Sequence, residues 1–394
     1  DPDICCSRPK PERQKMRIII LGGGLVGGPM ARDLAADGVF EVSVADHDQE
    51  SLSRLGEQAQ ISPVLTDLSD PANVTSLVAD YDMVVDAVPG FMGFQTLKAV
   101  IEAGKNVIDI AFFAEDPFEL DALAKEKGVV AIMDCGVFPG MGSALIGRVA
   151  RKLDEVDSVL TYVGGLPEIR QWPWEYKAVF SPIDVIEEYT RPARYVENGV
   201  LVTRPALSDP ELIDFPGIGT LEAFNTDGLR TLARTIGAPN MKEKTLRYPG
   251  HIEKMAVLRE GGFFNQGKIE VGSVMVSPLD VTSELLFPMW KLEEGEGDVT
   301  VLQIIVEGRK NGQKLRYVYD LCDRFDHEAK VTSMARTTGY TATMALRMVA
   351  EGLYSAVGIS PPEFMGREFG CVDYLLKGLA ARGVHYRERV EVVS

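Results

Sequence analysis

Between Arg17 and Asp46 the chain reads RIIILGGGLVGGPMARDLAADGVFEVSVAD, the stretch that limits its fold most tightly. The apolar run Ile18 to Leu21 stops at glycines. Gly22, Gly24 and Gly27 then stand in G-x-G-x-x-G spacing, with Leu25 and Val26 inside the motif, and a second apolar run ends at Asp46, 19 residues beyond Gly27. The pattern predicts a strand, a tight turn, a helix and a second strand. Gly22 permits the turn, Gly24 leaves room for a pyrophosphate to approach the backbone, and Gly27 lets the helix pack on the strand. The helix start offers unbonded N–H groups and the positive end of its dipole to an anion. A carboxylate at Asp46 can accept hydrogen bonds from both ribose hydroxyls and repels a 2′-phosphate. The stretch therefore predicts a dinucleotide site that takes NAD rather than NADP. His47, next in the chain, is expected near the adenosine.

A length of 394 residues suggests two or three domains, and a hydrophobic content of 45% suffices for a large core. The net charge of −17 disfavours nucleic acid and anionic membranes as partners, since both call for clustered Lys and Arg. No uninterrupted apolar stretch reaches the length of about 18 residues that a membrane span needs. The opening DPDICCSRPKPERQK has no apolar signal core, and Met16 reads as a natural start. Residues 1–15 are thus expected to be a disordered extension or foreign to the natural chain. The five cysteines show no C-x-x-C spacing, which predicts a reduced, cytoplasmic protein with neither a disulfide framework nor a metal centre.

After Asp46 short apolar strands alternate with helices. Strands are predicted around Pro63–Leu65, Met83–Val88, Asn106–Ile110 and Val129–Met133, and helices over Gln95–Ala103 and Pro117–Lys127, the latter closed by Gly128. This alternation predicts an α/β fold: a Rossmann-type doubly wound parallel sheet over residues 16–135, with helices on both faces. Ligands of such sheets bind at the carboxyl ends of the strands, which puts Gly22–Gly27, Asp46, Asp67, Val88-Pro89-Gly90 and Asp134-Cys135 on one rim. From residue 136 the texture changes. The stretch DCGVFPGMG (134–142) is hinge-like, and Asn198-Gly199 and Asn311-Gly312, each between apolar runs, predict hairpins. An inserted α+β domain with a mixed or antiparallel sheet is expected over residues 136–330. Residues 331–394 are expected to return as helices to the first domain.

Val88-Pro89-Gly90 follows the fourth strand, where backbone groups of a doubly wound domain hold the nicotinamide end of a dinucleotide. Asp134 lies at a strand tip, placed either to cap the following helix or to face the substrate, whereas Cys135 reads as a buried small thiol. In the second domain Tyr176 and Lys177 are adjacent, Glu187, Glu188 and Tyr189 follow, and Arg247-Tyr248-Pro249-Gly250-His251 forms another polar cluster. Arginine suits bidentate capture of a carboxylate, and tyrosine, lysine or histidine can move a proton. Of the four histidines, His251 is the one expected in the active site.

Together these pieces resemble the saccharopine dehydrogenase-like family, most closely its lysine 6-dehydrogenase branch. The resemblance rests on IIILGGGLVGGPMARDLA, TDLSD, VVDAVPG, DCGVFPGMGSALIG, YVGGLP, YKAVFSPIDVIEEYTRPA, LRYPGHIEKMAVLRE, TATMALRMVAEG and GISPPE, in order over about residues 16–370. It implies a Rossmann domain with an inserted domain that shapes the substrate pocket and supports a homodimer or homotetramer. The implied reaction is NAD-dependent oxidation of the ε-carbon of L-lysine. The product is 2-aminoadipate 6-semialdehyde, which cyclises to piperideine-6-carboxylate, and ammonia is released. The glycines and Asp46 fall on the family's cofactor motif, and Asp67 on the position beside the adenine. Tyr176, Lys177, Arg247 and His251 fall on second-domain motifs. Their roles are hypotheses: Arg247 pairs the substrate α-carboxylate, with Asp134 and Tyr248 as further substrate contacts. Lys177 or His251 takes the amine proton, with Tyr176 beside them. Cys135 departs from the more usual small residue at its position. Two rivals stand beside this reading. One is saccharopine-type or carboxylated-polyamine chemistry, against which QWPWEYK after VGGLP favours a smaller substrate. The other is an NAD sensor without catalysis, against which the polar groups of the second domain speak.

Overall fold

The computed structural model describes residues 15–293 and 295–393. The extension expected at residues 1–15 falls almost wholly outside them. Six strands alternate with helices in the first third: β1 (Met16–Leu21), β2 (Phe40–Asp46), β3 (Ile61–Leu65), β4 (Met83–Asp86), β5 (Asn106–Asp109) and β6 (Val130–Ile132). All pair in parallel, in the order β6-β5-β4-β1-β2-β3. Strand order reverses between β1 and β4, and the crevice at their carboxyl ends is where such sheets bind ligands. The strands read as continuous apolar runs because helices cover both faces: Ile18, Ile20, Val85 and Ile108 belong to one core, and Ile19, Leu21, Val84 and Val107 to the other. The helix predicted from Gln95 begins at Gly90, and Gly128, at φ +67°, ends the helix Asp121–Lys127 as expected.

The second sheet contains nine strands: β7 (Glu155–Pro167), β8 (Ala193–Glu197), β9 (Val200–Arg204), β10 (Glu211–Phe215), β11 (Gly219–Asn225), β12 (Asn240–Arg247), and then, beyond a small hairpin of β13 (Ile269–Val271) and β14 (Val274–Val276), β15 (Asp298–Lys310), β16 (Gln313–Arg324) and a last strand from the chain's tail. The sheet is mixed. β12 runs parallel to β7, and the ladders β7–β15 and β15–β16 are antiparallel. Asn198-Gly199 and Asn311-Gly312 make the two expected hairpin turns, each with both residues at positive φ.

The tail differs from the expectation of helices alone. It supplies helices at Tyr340–Ala350, Pro362–Arg367 and Cys371–Ala380, and also one strand to each sheet. β17 (Gly358–Ser360) pairs in parallel with β6, and β18 (Arg387–Val392) pairs antiparallel with β16. The helix Met141–Lys152 joins the layers: Ala144, Leu145 and Val149 share one core with Ile18 of β1 and Ile304 of β15. It lies so close to Pro362–Arg367 that a Cβ on Gly147 would collide with the Glu363 carbonyl, and one on Gly366 with the Ala144 carbonyl. Among the described residues no helix is long and apolar enough to cross a membrane.

Candidate active site

A cavity of about 680 Å³ lies between the carboxyl rim of the parallel sheet and the mixed sheet. At one end it is lined by Gly22, Gly24, Leu25, Val26, Gly27, Asp46, His47 and Asp67, and further in by Val88 and Pro89. The glycines do what their spacing predicts. Gly22 sits at φ +100°, and a Cβ there would lie 2.6 Å from the Ala87 carbonyl oxygen. A Cβ on Gly27 would collide with the Gly22 carbonyl, while one on Gly24 would meet nothing within 4 Å. The room a pyrophosphate needs is therefore present where the motif puts it. The helix Gly27–Ala36 starts with neither a side-chain cap nor an acid in its first turn, so its positive end is not neutralised by the chain itself.

Asp46 closes the glycine-motif end of the cavity. Its Oδ2 accepts the Gly23 N–H at 2.7 Å, and its Oδ1 accepts the Asp48 N–H at 3.0 Å and stands 3.1 Å from His47 Nδ1. Hydrogen bonds from Ser69 hold the Asp67 carboxyl below its ordinary range. Gly90 is not part of the wall. Its N–H donates to Asp184 Oδ1 at 3.0 Å, and a Cβ would lie 2.6 Å from the Phe112 carbonyl oxygen. It thus fixes the wall beside Val88 and Pro89 through packing and through Asp184.

The opposite end of the cavity is rich in carboxylates. Asp134, Asp184, Glu187, Glu188, Asp227 and Glu243 line it, against the guanidiniums of Arg191 and Arg247. Four of the acids are paired: Asp134 with Arg230 (2.8 Å), Glu187 with Arg191 (3.3 Å), Asp227 with Arg194 (2.6 Å), and Glu188 with Arg247. Asp184 and Glu243 form no ion pair among the described residues. Glu243, on β12 and 2% exposed, accepts from the Thr226 hydroxyl at 2.6 Å and the Gly228 N–H at 3.0 Å. Burial pushes its carboxyl up to about 7, and raises Asp184 in the same direction. Arg191 stacks on Phe112 at 4.5 Å and donates to its carbonyl, and its Nε has no partner among the described residues.

Below this floor Asp86, Asp109 and Asp134 stand at or just past the tips of three neighbouring strands. Asp86 and Asp109 are in register, and both are fully buried. Burial raises both carboxyls, Asp86 to about 7 and Asp109 further because the Asp86 charge also opposes its ionisation, so the pair holds a proton at neutral pH. Cys135 is buried and its thiol is pushed up, as befits an inert thiol.

The residues expected to carry proton transfer lie elsewhere. His251 is wholly buried behind the wall. Its Nδ1 is 2.7 Å from the Trp174 carbonyl oxygen, which only accepts, so Nδ1 carries the hydrogen and Nε2 accepts from the Tyr189 hydroxyl at 2.8 Å. Burial and the nearby Arg247 push the imidazole down to about 3, so it is neutral. Tyr189 in turn accepts from Arg247 Nε at 3.1 Å, and Arg247 reaches Glu188. His251 therefore orients the Arg247–Glu188 pair from behind. Tyr176 is buried under the Arg247 guanidinium at 4.6 Å, outside the cavity. Lys177 donates to the Lys291 carbonyl at 2.9 Å and faces Glu296 at 3.4 Å. The Tyr248 hydroxyl donates to the Pro167 carbonyl at 3.0 Å. None of these four lines the cavity, whereas Arg247 and Asp134 do, both already paired. Sequence reasoning missed Asp184, Arg191, Asp227 and Glu243. A signal existed for the first two: Asp184, Glu187, Glu188 and Arg191 fall at i, i+3, i+4 and i+7 on and just beyond the helix Pro182–Thr190, which puts them on one face.

Comparison with known proteins adds an independent finding. A family model described as the saccharopine dehydrogenase NADP binding domain matches residues 18–132, and one described as the saccharopine dehydrogenase C-terminal domain matches residues 133–384. A saccharopine dehydrogenase [NADP(+), L-glutamate-forming] of Pyricularia oryzae is 24% identical, covering 95% of this chain and 98% of its own. The mitochondrial alpha-aminoadipic semialdehyde synthase of Bos taurus is 28% identical over 64% of this chain, which spans only 29% of that protein's length. The solved apo saccharopine dehydrogenase (L-Glu forming) of Saccharomyces cerevisiae superposes with a TM-score of 0.77 at 19% identity, covering 95% of this chain and 100% of that one, which shows a shared fold.

Proposed function

The chain belongs to the saccharopine dehydrogenase family, and on that premise we propose that it is a nicotinamide-dependent oxidoreductase that oxidises the ε-carbon of L-lysine, releasing ammonia and 2-aminoadipate 6-semialdehyde. The observation that carries this reading is the excess of carboxylates at the substrate end of the cavity, six against two guanidiniums. Saccharopine brings three carboxylates and suits a basic pocket. Lysine brings two ammonium groups and one carboxylate. Asp184 and Glu243, the acids without a basic partner, suit the two ammonium groups. Arg191, with an unpartnered Nε, suits the carboxylate better than Arg247, whose three nitrogens are all engaged.

When bound, NAD accepts the hydride. The residues supply the rest. The Asp46 carboxylate and the absence, among the described residues, of any Arg or Lys from the wall at the adenosine end support NAD over NADP, although the matched domain model is described by NADP. Glu243 takes the proton that the ε-ammonium must lose before hydride departs, and its carboxyl titrates near enough to neutrality to do so. Hydride loss leaves an iminium, and water adds to it to give aldehyde and ammonium; overall, lysine, NAD⁺ and water give semialdehyde, NADH, ammonium and one proton. A second reading, oxidation of saccharopine with release of glutamate, is favoured by the activity for which the fungal relatives that match along 98% of their length are named. NADH absorbance, followed with lysine or saccharopine and with NAD or NADP, separates the two. Signal with lysine and NAD is expected; signal with saccharopine alone selects the second reading, and none with either overturns both.

A further inference from the structure

Three neighbouring strands of the parallel sheet finish in the same residue type: Asp86 ends β4, Asp109 ends β5, and Asp134 lies two residues past β6. Asp134 has its cation, Arg230, at 2.8 Å. Asp86 and Asp109 form no ion pair among the described residues. They are register partners on parallel strands, so their backbones stand about 4.8 Å apart. Both are fully buried. Asp86 Oδ1 accepts the Val88 N–H at 3.3 Å, while Asp86 Oδ2 and both Asp109 oxygens have no hydrogen-bond partner among the described residues. The charged and ionisable groups facing the pair from neighbouring elements are Asp134, Arg230 and the Cys135 thiol, and the one cation among them is already engaged by Asp134. Packing does not explain this arrangement. An asparagine at position 86 would hold the Val88 N–H as well, and an apolar residue at position 109 would suit a sheet interior. Two adjacent buried carboxyls cannot both ionise, so the pair keeps a proton. Groups perturbed in this way cluster where chemistry uses them.

Position says what the pair answers to. Ala87 and Val88, directly after Asp86, and Ile110 and Ala111, directly after Asp109, line the cavity. Both acids therefore lie immediately behind the wall to which the coenzyme reading above assigns the nicotinamide ring, and the inference rests on that reading. The ring carries a positive charge when oxidised and none when reduced. We propose that the Asp86–Asp109 pair discriminates between the two coenzyme forms, giving up a proton when the cationic ring occupies the cavity and keeping it when the ring is neutral. A cation beside a buried carboxyl favours its ionised form, so NAD⁺ and the proton compete for the protein. By linkage NAD⁺ binds more tightly as pH rises, and NADH does not share that gain. His47 and Asp67 line the adenosine end, which is the same in both forms, so the difference between the forms isolates the nicotinamide end. Glu243 and Asp184, the cavity carboxylates without a basic partner, face the same space from the mixed-sheet domain, and a variant separates Glu243 from the pair.

Calorimetric titration of the purified full chain with NAD⁺, NADH and ADP-ribose, each in two buffers of unlike ionisation enthalpy, counts the protons released. If the cation weakens tenfold the hold on a proton that titrates at about 7, NAD⁺ releases about 0.4 proton more than NADH or ADP-ribose at pH 7. The ratio of NAD⁺ to NADH affinity should then rise about fivefold from pH 6 to pH 8. Asp86→Asn keeps an acceptor for the Val88 N–H and resembles the protonated acid. It should abolish the excess release while NADH still binds, and Asp109→Asn should do the same. Glu243→Gln should retain it. Equal proton release by NAD⁺ and NADH in the wild-type chain overturns the proposal. So does an excess that survives Asp86→Asn, or one that Glu243→Gln removes. The wild-type and Glu243→Gln measurements decide the matter even where a substitution in the pair prevents folding. Failure of all three ligands to bind overturns the coenzyme reading and this inference with it, whereas binding of all three with equal release overturns the inference alone.

Discussion

Burial and hydrogen bonds from Thr226 and Gly228 leave Glu243 near the middle of the pH range where an amine must lose its proton. Glu243→Gln keeps the shape and a hydrogen-bond acceptor but cannot take a proton. It should lower kcat with lysine by roughly 10²–10⁴-fold and remove the rise of kcat/KM across neutrality, while leaving NADH affinity unchanged. A pH–rate profile of the variant that keeps its neutral limb would assign proton transfer elsewhere. At the other end of the cavity, Asp46→Asn retains an acceptor for the Gly23 N–H and loses the charge. Its KM for NAD should rise about tenfold while discrimination against NADP shrinks, as steady-state kinetics with both coenzymes would read. The two residues were unequally legible. Asp46 is announced by its distance from the glycines. Glu243 sits in an apolar-polar strand with nothing local to mark it, because its environment is built by Thr226, Gly228 and Thr245. His251 drew attention for its chemistry, yet whether an imidazole faces a cavity or a core is decided by packing that its neighbours in sequence do not encode.

Elements were legible where a local pattern suffices. The parallel strands are unbroken apolar runs, and the two Asn-Gly turns declare their hairpins. The three-residue strands β13, β14 and β17 were not, since each is too short for a period to show, and β17 finds its partner β6 more than two hundred residues upstream. The close crossing of Met141–Lys152 with Pro362–Arg367 was equally invisible, because the glycines that permit it, Gly147 and Gly366, lie far apart in the chain. That crossing carries a prediction. Gly147→Val places a branched side chain against the Glu363 backbone, which cannot step aside without moving a helix, and should lower the unfolding free energy by about 1–3 kcal/mol or more. The denaturant midpoint should fall with the slope unchanged.

Across the whole molecule, the buried acids give stability a direction with pH. The Glu243 and Asp86 carboxyls at about 7 and Asp298 at about 6 all lie above their unfolded values near 4. Their contribution is complete below about pH 4 and is lost as pH rises through 6 to 7, when each must ionise in a poorly solvated place. The expected outcome is a wild-type unfolding free energy that declines between pH 5 and 8, by on the order of 3 kcal/mol from Glu243 alone, and a smaller decline in Glu243→Gln. Chemical denaturation of both at the two pH values checks it. The cofactor half of the cavity could be anticipated because one contiguous segment builds it, whereas the substrate half is assembled from helix Pro182–Thr190, β11, β12 and the turns beside them. A last consequence concerns the order in which the protein can be made. β6 has no outer neighbour until Gly358–Ser360 arrives, and Asp33 on the helix Gly27–Ala36 waits for Arg347 and Arg382. During synthesis the nucleotide module therefore emerges with an unfinished flank and with Asp33 still lacking its two arginines. It is clasped shut only when residues 347–382 have left the ribosome, more than two hundred residues after β6, which makes the module a poor candidate for excision as an independent unit.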